Sequence, residues 1–165
     1  DHRDLHYPLR RQRQMCIRDR VNTPYSRAEC CNHIQGDSMS AEEIIEINHL
    51  TNRYNQAADS GNGEAFAETF TEDGILEMPG SDPIAGRDAL TVSGNTFPQL
   101  IEGVRHWTNN QVVEINGDSA TASCYLLLMS AGSPPNMMTT GRYSDELTKT
   151  VEGWRFTKRS VSLDS

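Results

Sequence analysis

The chain has 165 residues, of which 36% are hydrophobic, so it is long and apolar enough for one domain with one core. Its formal net charge of −8 argues against nucleic acids and anionic membrane surfaces as partners. No apolar run reaches the ~18 residues that a membrane span requires, and no signal peptide is recognisable. We therefore expect a cytoplasmic protein.

Residues 1–38 differ in composition from the rest of the chain. They hold seven of the 15 basic residues and three of the four cysteines, without helical or strand periodicity. A basic arm could bind nucleic acid or lipid. However, residues 1–20, and the run Met15–Arg20 above all, resemble a translated sequencing adaptor. We therefore expect residues 1–38 to be a non-native or disordered leader and residues 39–165 to form the domain, whose lone Cys124 fits a reducing compartment.

Three helices are predicted at the start of the domain. Ser40 precedes Ala41-Glu42-Glu43, which is typical of a capping box, and apolar residues then recur with helical spacing as far as Ala58. Gly61 ends this first helix. A short second helix is predicted over 64–70, and a third, interrupted by Gly94 and Pro98, over 87–101.

The second half of the domain has the alternating pattern of strands. A turn over 71–74 and a short strand over 75–78 come first, and a loop of prolines and glycines follows. Four long strands are predicted over 104–115, 120–130, 140–150 and 154–163, the first two joined by the hairpin signal Asn116-Gly117. Helices followed by an antiparallel meander indicate an α+β fold with the helices on one face of the sheet.

Several short motifs occur together in a characteristic order. They are Arg53–Asn62, Phe70–Gly74, Arg105-His106, Asn116–Ala120, Gly141–Leu147 and Glu152–Phe156. In this order, residues 41–163 resemble the SnoaL-like branch of the nuclear transport factor 2-like superfamily. The resemblance implies a curved, cone-shaped antiparallel or mixed sheet packed on three N-terminal helices. It also implies a cystatin-like fold with a pocket inside the cone, and a homodimer formed through the sheet.

The resemblance also implies a site. In relatives that resemble scytalone dehydratase and bile-acid dehydratase, a helix-end Asp and a strand His face the pocket, and Asp59 and His106 match these positions. Tyr54 matches a tyrosine of the bile-acid enzyme pattern. Such relatives carry one more polar residue on the next strand, where this sequence has the run 127–131, Leu-Leu-Met-Ser-Ala. The fourth polar group is therefore absent from the pattern.

Each candidate residue also has a structural interpretation. His106 could bond a backbone carbonyl or lie at a dimer surface, Asp59 could bond the amides of its own turn, and Tyr54 shares a helix stripe with Leu50. Asp145 is expected to be a solvated strand-edge acid. A second group of apolar residues could line the pocket or belong to the core: Trp107, Met78, Phe97, Met129, Met137 and Met138.

The predicted function is that of a small enzyme of the lyase or isomerase type, without cofactor or metal. It would act as a dehydratase, isomerase or cyclase on a hydrophobic ring compound with a carbonyl group. His106 would move a proton, Asp59 would hold His106, and Tyr54 would stabilise the enolate. The alternative is a non-catalytic domain of the same fold that binds a small molecule or dimerises.

Overall fold

The computed structural model describes residues 40–100 and 103–164, so the predicted leader lies outside the described residues. The helices are Ala41–Ser60 (α1), Gly63–Ala67 (α2) and Arg87–Leu100 (α3). The strands are Phe70–Glu77 (β1), Ile84–Ala85 (β2), Val104–Asn116 (β3), Ser119–Ser130 (β4), Asn136–Thr150 (β5) and Gly153–Leu163 (β6). No helix within these two stretches is both long and apolar enough to cross a membrane.

The strands form one open sheet in the order β2-β1-β6-β5-β4-β3. Strands β3 to β6 are an antiparallel meander, while β1 joins β6 in parallel and the short β2 lies outside β1. The predicted α+β class, with a mixed sheet packed on N-terminal helices, is confirmed. Strand β3 is one edge of this sheet and runs beside α1.

Helix α1 begins and ends where the sequence predicts. The Oγ atom of Ser40 accepts a hydrogen bond from the N–H of Glu43 at 3.2 Å, which caps the first turn. Gly61 takes the left-handed conformation at φ 69°, and its N–H bonds the carbonyls of Ala57 and Ala58. These caps fix the position of the last helical turn, which carries Asp59.

Two strand starts differ from the prediction. Strand β1 begins at Phe70 because the residues predicted as a turn, 71–74, are taken up in an irregular stretch of the pairing between β1 and β6. Strand β5 begins at Asn136 rather than at Thr140, because it pairs with the far end of β4. Both differences extend the sheet without changing the order of the four long strands.

A β-bulge in β6 places a charge in the core. Leu147 pairs with Phe156 but Glu146 pairs with Lys158, so Thr157 is an extra residue in β6. Arg159 follows Phe156 by three residues, and in a regular strand this odd spacing would put the two side chains on opposite sides of the sheet. The bulge brings them to the same side.

There Arg159 donates two hydrogen bonds of 2.7 Å to the carboxylate of Asp145, and both side chains are completely buried. The expectation that Asp145 is a solvated acid is therefore wrong. The guanidinium carbon of Arg159 lies 4.0–4.3 Å from three aromatic ring centres, those of Tyr54, Tyr143 and Phe156. This group of five residues, called the core ion cluster below, lies at the centre of the domain.

Candidate functional site

The structure brings Asp59 and His106 together. The Oδ1 atom of Asp59 lies 2.6 Å from Nδ1 of His106, and both carboxylate oxygens also accept from the backbone N–H of His106, at 3.2 and 3.3 Å. The side chain of His106 is 3% exposed and that of Asp59 is 15% exposed. One carboxylate therefore fixes both the ring and the main chain of the histidine.

The last turn of a helix is an unfavourable place for a carboxylate, because the helix dipole is negative there. The amides of the turn do not compensate, since the N–H groups of Gly61 and Asn62 bond the carbonyls of Ala57 and Ala58. The described partners of the Asp59 carboxylate all belong to His106. The position of Asp59 is thus explained by β3 rather than by its own helix.

This contact determines which nitrogen of the ring is available for chemistry. A carboxylate only accepts hydrogen bonds, so Nδ1 carries the proton that points at Asp59. In the neutral ring Nε2 then has a free lone pair and can accept a proton. When it does so, the negative charge of Asp59 stabilises the imidazolium, as in the serine hydrolase triad. The pair has the arrangement of a general base with its orienting acid.

Two further neighbours of His106 are apolar. Its cross-strand partner is Leu128, which is 8% exposed, and the ring of Phe97 on α3 packs edge-on with its centre 5.4 Å from that of the imidazole. The run that lacks the expected His or Asp is therefore part of the strand directly beside His106.

A cavity of about 890 Å³ opens next to this pair. Both Asp59 and His106 line it, and α1 contributes one polar wall, which consists of His49, Asn52, Arg53, Asn55, Gln56 and Asp59. The sheet contributes several large, mainly apolar residues to the lining, namely Trp107, Tyr125, Leu126, Leu127 and Met137. The cavity therefore fits a compound with an apolar body and a polar edge.

Tyr54 lies apart from this cavity. It is 1% exposed and packs in the core ion cluster, with its ring centre 4.7 Å from that of Phe66. Burial raises the pKa of Tyr54 to about 12. The structural interpretation of Tyr54 as a core residue therefore fits its position, and the expectation that it faces the substrate does not hold for this cavity.

Of the six apolar residues predicted to line the pocket, some line the cavity and others do not. Trp107 and Met137 line the cavity. Phe97 contacts His106 from α3, and Met78 packs against the core. Met129 is half-buried and Met138 is 43% exposed. Neither of them lines the cavity.

A second polar pair went unnoticed in the sequence. The Nδ2 atom of Asn55 donates to Oγ1 of Thr108 at 2.9 Å, and both residues line the cavity. Asn55 precedes Asp59 by four residues on α1, and Thr108 follows His106 by two on β3. These spacings put each residue on the same face as its neighbour, and that signal was readable once a helix over 41–60 and a strand over 104–115 were predicted.

Metal ligation has no support in the part of the chain that the structure describes. No group of three His, Cys, Asp or Glu side chains there is placed to hold an ion. Asp59 and His106 form a pair without a third ligand.

Comparison with known proteins gives one family and many similar folds. The sequence matches the SnoaL-like domain family over residues 39–160. No protein with a curated function matches it.

Two solved structures are about 30% identical to this chain over the residues that align. One is a variant of Rv3472 from Mycobacterium tuberculosis, described as a function unknown protein. It is 31% identical with a TM-score of 0.69 and covers 74% of this chain and 72% of its own. The other is an NTF2-like protein with a cystatin-like fold from Novosphingobium aromaticivorans, 30% identical with a TM-score of 0.69, covering 74% and 82%. A third, from Catenulispora acidiphila, was solved in complex with S-DNPA; it is 26% identical with a TM-score of 0.67 and covers 76% and 96%.

Proposed function

Since the chain belongs to the SnoaL-like domain family, we propose that it is a small acid–base enzyme of the lyase or isomerase type. Its substrate is a hydrophobic ring compound that contains a carbonyl group. The observation that carries this proposal is the 2.6 Å contact between Asp59 and Nδ1 of His106 at the wall of a cavity. Proton transfer requires a base in the right tautomer next to a space that can hold the substrate, and both are present here.

The reaction begins at a carbon next to the carbonyl. Nε2 of His106 takes a proton from that carbon, and the electron pair of the broken C–H bond moves into the carbonyl to give an enolate. Asp59 stabilises the imidazolium that results. Isomerisation follows when the imidazolium returns the proton to another carbon, and dehydration follows when it protonates a hydroxyl that leaves as water. Each route conserves atoms and electrons and needs no redox cofactor.

The walls of the cavity support the substrate class. Trp107, Tyr125 and Met137 offer apolar and aromatic surface to rings, while α1 offers polar side chains to the oxygen atoms of the ligand. The apolar neighbours of His106, Leu128 and Phe97, limit the access of water to the ring.

The direct test is exchange of the protons next to a ring ketone. Wild-type protein is incubated with 1-tetralone in D₂O, and loss of the proton signal at the carbon beside the carbonyl is followed by NMR. We expect exchange above the buffer rate, and a loss of about 10²- to 10⁴-fold in His106→Ala, the usual contribution of a general base. Asp59→Asn should slow exchange at least tenfold on the same grounds, through misorientation of the ring.

Chemical rescue is the control for this test. Imidazole added to His106→Ala should restore part of the exchange above a protein-free blank, because the substitution leaves space where the ring was. Equal exchange by wild type and His106→Ala, or no exchange above the blank by wild type, would overturn the proposal.

A second candidate is a binding domain without catalysis. It is favoured by one observation, that the strand position opposite His106 is Leu128, so this cross-strand neighbour supplies no acid to protonate a leaving group. Binding of 1-tetralone to wild type without any exchange would support this candidate over the enzyme.

We also propose a homodimer formed through the outer face of the sheet, in a reducing compartment such as the cytoplasm. Val112 of β3 lies on that face: it is 60% exposed, whereas the next residue, Val113, is 7% exposed and belongs to the core. Light scattering should give twice the monomer mass for wild type and the monomer mass for Val112→Glu, because a pair of like charges would meet in the interface. A monomeric wild type would refute the dimer.

A further inference from the structure

We infer that Asn55, held by Thr108, binds a hydroxyl group of the ligand and so selects ring ketones that carry a second oxygen function. This inference deepens the proposed function and rests on it for the identity of the reacting end. The binding step itself does not depend on catalysis.

The first argument is an unsatisfied polar atom. Asn55 is 6% exposed, and its Nδ2 atom donates a hydrogen bond to Oγ1 of Thr108. Its Oδ1 is buried and has no hydrogen-bond partner among residues 40–100 and 103–164. A buried acceptor without a donor is costly, and native proteins rarely keep one without a reason. Asn55 lines the cavity, and in the inferred complex its side chain turns to present Oδ1 to a donor on the ligand.

The second argument is the contrast along the interface of α1 and β3. Three polar pairs follow one another there, Thr51 with Gln111, Asn55 with Thr108, and Asp59 with His106. The first pair lies outside the cavity wall, and its hydroxyl, Oγ1 of Thr51, both donates and accepts. Asn55 is thus the member on α1 that combines a free acceptor with a place on the wall.

The spacing of the two pairs on the wall sets the size of the ligand. Side chains four apart on a helix lie about 5–6 Å from each other, and residues two apart on a strand lie about 6.4–6.8 Å apart. Both spacings therefore predict that the hydroxyl bound at Asn55 and the carbon that reacts at His106 are separated by about the width of one ring. The ligand would carry its two oxygen functions on different sides of a ring system.

Three probes isolate the hydroxyl group: 6-hydroxy-1-tetralone, 6-methoxy-1-tetralone and 1-tetralone. Calorimetric titration of the full-length protein should show tighter binding of the hydroxy compound than of the other two, by about 2- to 10-fold, the usual net value of one hydrogen bond. Asn55→Leu, which keeps the volume of the side chain, should bind all three alike. Asn55→Asp, which keeps an acceptor, should retain the preference.

Thr51→Val is the matched control, because it removes a polar contact of the same interface outside the cavity. It should keep the preference for the hydroxy compound, and its thermal unfolding, measured beside that of Asn55→Leu, separates loss of binding from loss of folding. Equal affinity of wild type for the three probes, including no affinity for any of them, overturns the inference. Methoxy binding as tight as hydroxy binding also overturns it, because a methoxy group has no proton to donate.

The two proposals can fail separately. The same titrations in His106→Ala should still show the hydroxy preference, since Asn55 acts through binding. If His106→Ala abolishes exchange while Asn55→Leu lowers the affinity for all three probes equally, the acid–base function stands and the role of Asn55 falls. If the hydroxy preference depends on Asn55 but His106→Ala exchanges like wild type, the role of Asn55 stands and the acid–base function falls.

Discussion

Two carboxylates of this domain each hold a nitrogen-containing side chain, and the two pairs differ in nearly every other respect. Asp145 and Arg159 are completely buried in the centre of the core, under three aromatic rings. Asp59 and His106 lie at the border between α1 and β3, where the cavity reaches them. The first pair is enclosed by protein, and the second has one side open to a ligand.

The chemistry of the bases matches these surroundings. Although burial by itself lowers the pKa of Arg159, the charge of Asp145 and its two hydrogen bonds outweigh burial and raise that pKa above its ordinary value. Arg159 therefore stays charged and does not transfer a proton near neutral pH. Histidine is the side chain whose unperturbed pKa allows proton transfer near neutral pH. The enclosed pair of Asp145 and Arg159 therefore has a structural role. The pair of Asp59 and His106, which the cavity reaches, is the candidate site.

The same substitution at both carboxylates should separate structure from function. Asp145→Asn leaves the buried guanidinium without a counter-charge and should lower the free energy of unfolding by about 3–5 kcal/mol. Asp59→Asn keeps an oxygen acceptor and removes a charge from the negative end of α1, so it should cost less than about 1 kcal/mol. Urea unfolding of both variants at neutral pH measures the difference.

The double variant Asp145→Leu with Arg159→Met checks the interpretation. Because both charges are removed, it should recover most of the stability that Asp145→Asn loses. Similar losses in Asp145→Asn and Asp59→Asn would show that the two pairs do not differ in this way.

A smaller effect is expected in alkaline solution, where the core ion cluster contributes two buried phenols, those of Tyr54 and Tyr143. The folded-state pKa of Tyr54 is raised to about 12 by burial, against an ordinary value of 10.0. Between these two values the unfolded chain releases a proton that the folded chain keeps, so stability is fully present below the lower value and is lost as the pH rises through the higher one. For one group this loss is on the order of 2–3 kcal/mol.

Tyr54→Phe should therefore flatten the fall in unfolding free energy between about pH 10 and 12. Tyr125→Phe, which removes a half-exposed phenol outside the core ion cluster, is the matched control for the substitution itself. The remaining fall in Tyr54→Phe should reflect Cys124, whose pKa burial raises to about 11, and Tyr143, whose pKa burial raises well above its ordinary value. An unchanged slope in Tyr54→Phe would refute the assignment.

Local signals carried the prediction of the helices and hairpins. The cap at Ser40, the left-handed Gly61 and the Asn116-Gly117 turn act within a few residues, and each bounds an element in the structure as predicted. The core ion cluster depends instead on the bulge at Thr157. That bulge is a matter of pairing between β5 and β6, and strict alternation along β6 would put Arg159 on the face opposite Phe156.

The candidate site was predictable to the extent that its residues repeat a known pattern. Asp59 and His106 were named as a pair from the family resemblance, and the structure places them in contact. Tyr54 was named on the same grounds, although its helix stripe also favoured the core, where it lies. Asn55 and Thr108 were missed because neither residue type draws attention by itself; their meaning depends on the contact between α1 and β3.

The bond from the backbone of His106 to Asp59 also bears on solubility. Strand β3 is an edge of the sheet, and an edge with free N–H groups is a template on which another chain can add a strand and start aggregation. The carboxylate of Asp59 occupies such an N–H, and the polar side chains of α1 continue alongside the strand. The helix that holds the base in place therefore also shields that edge from adding a foreign strand.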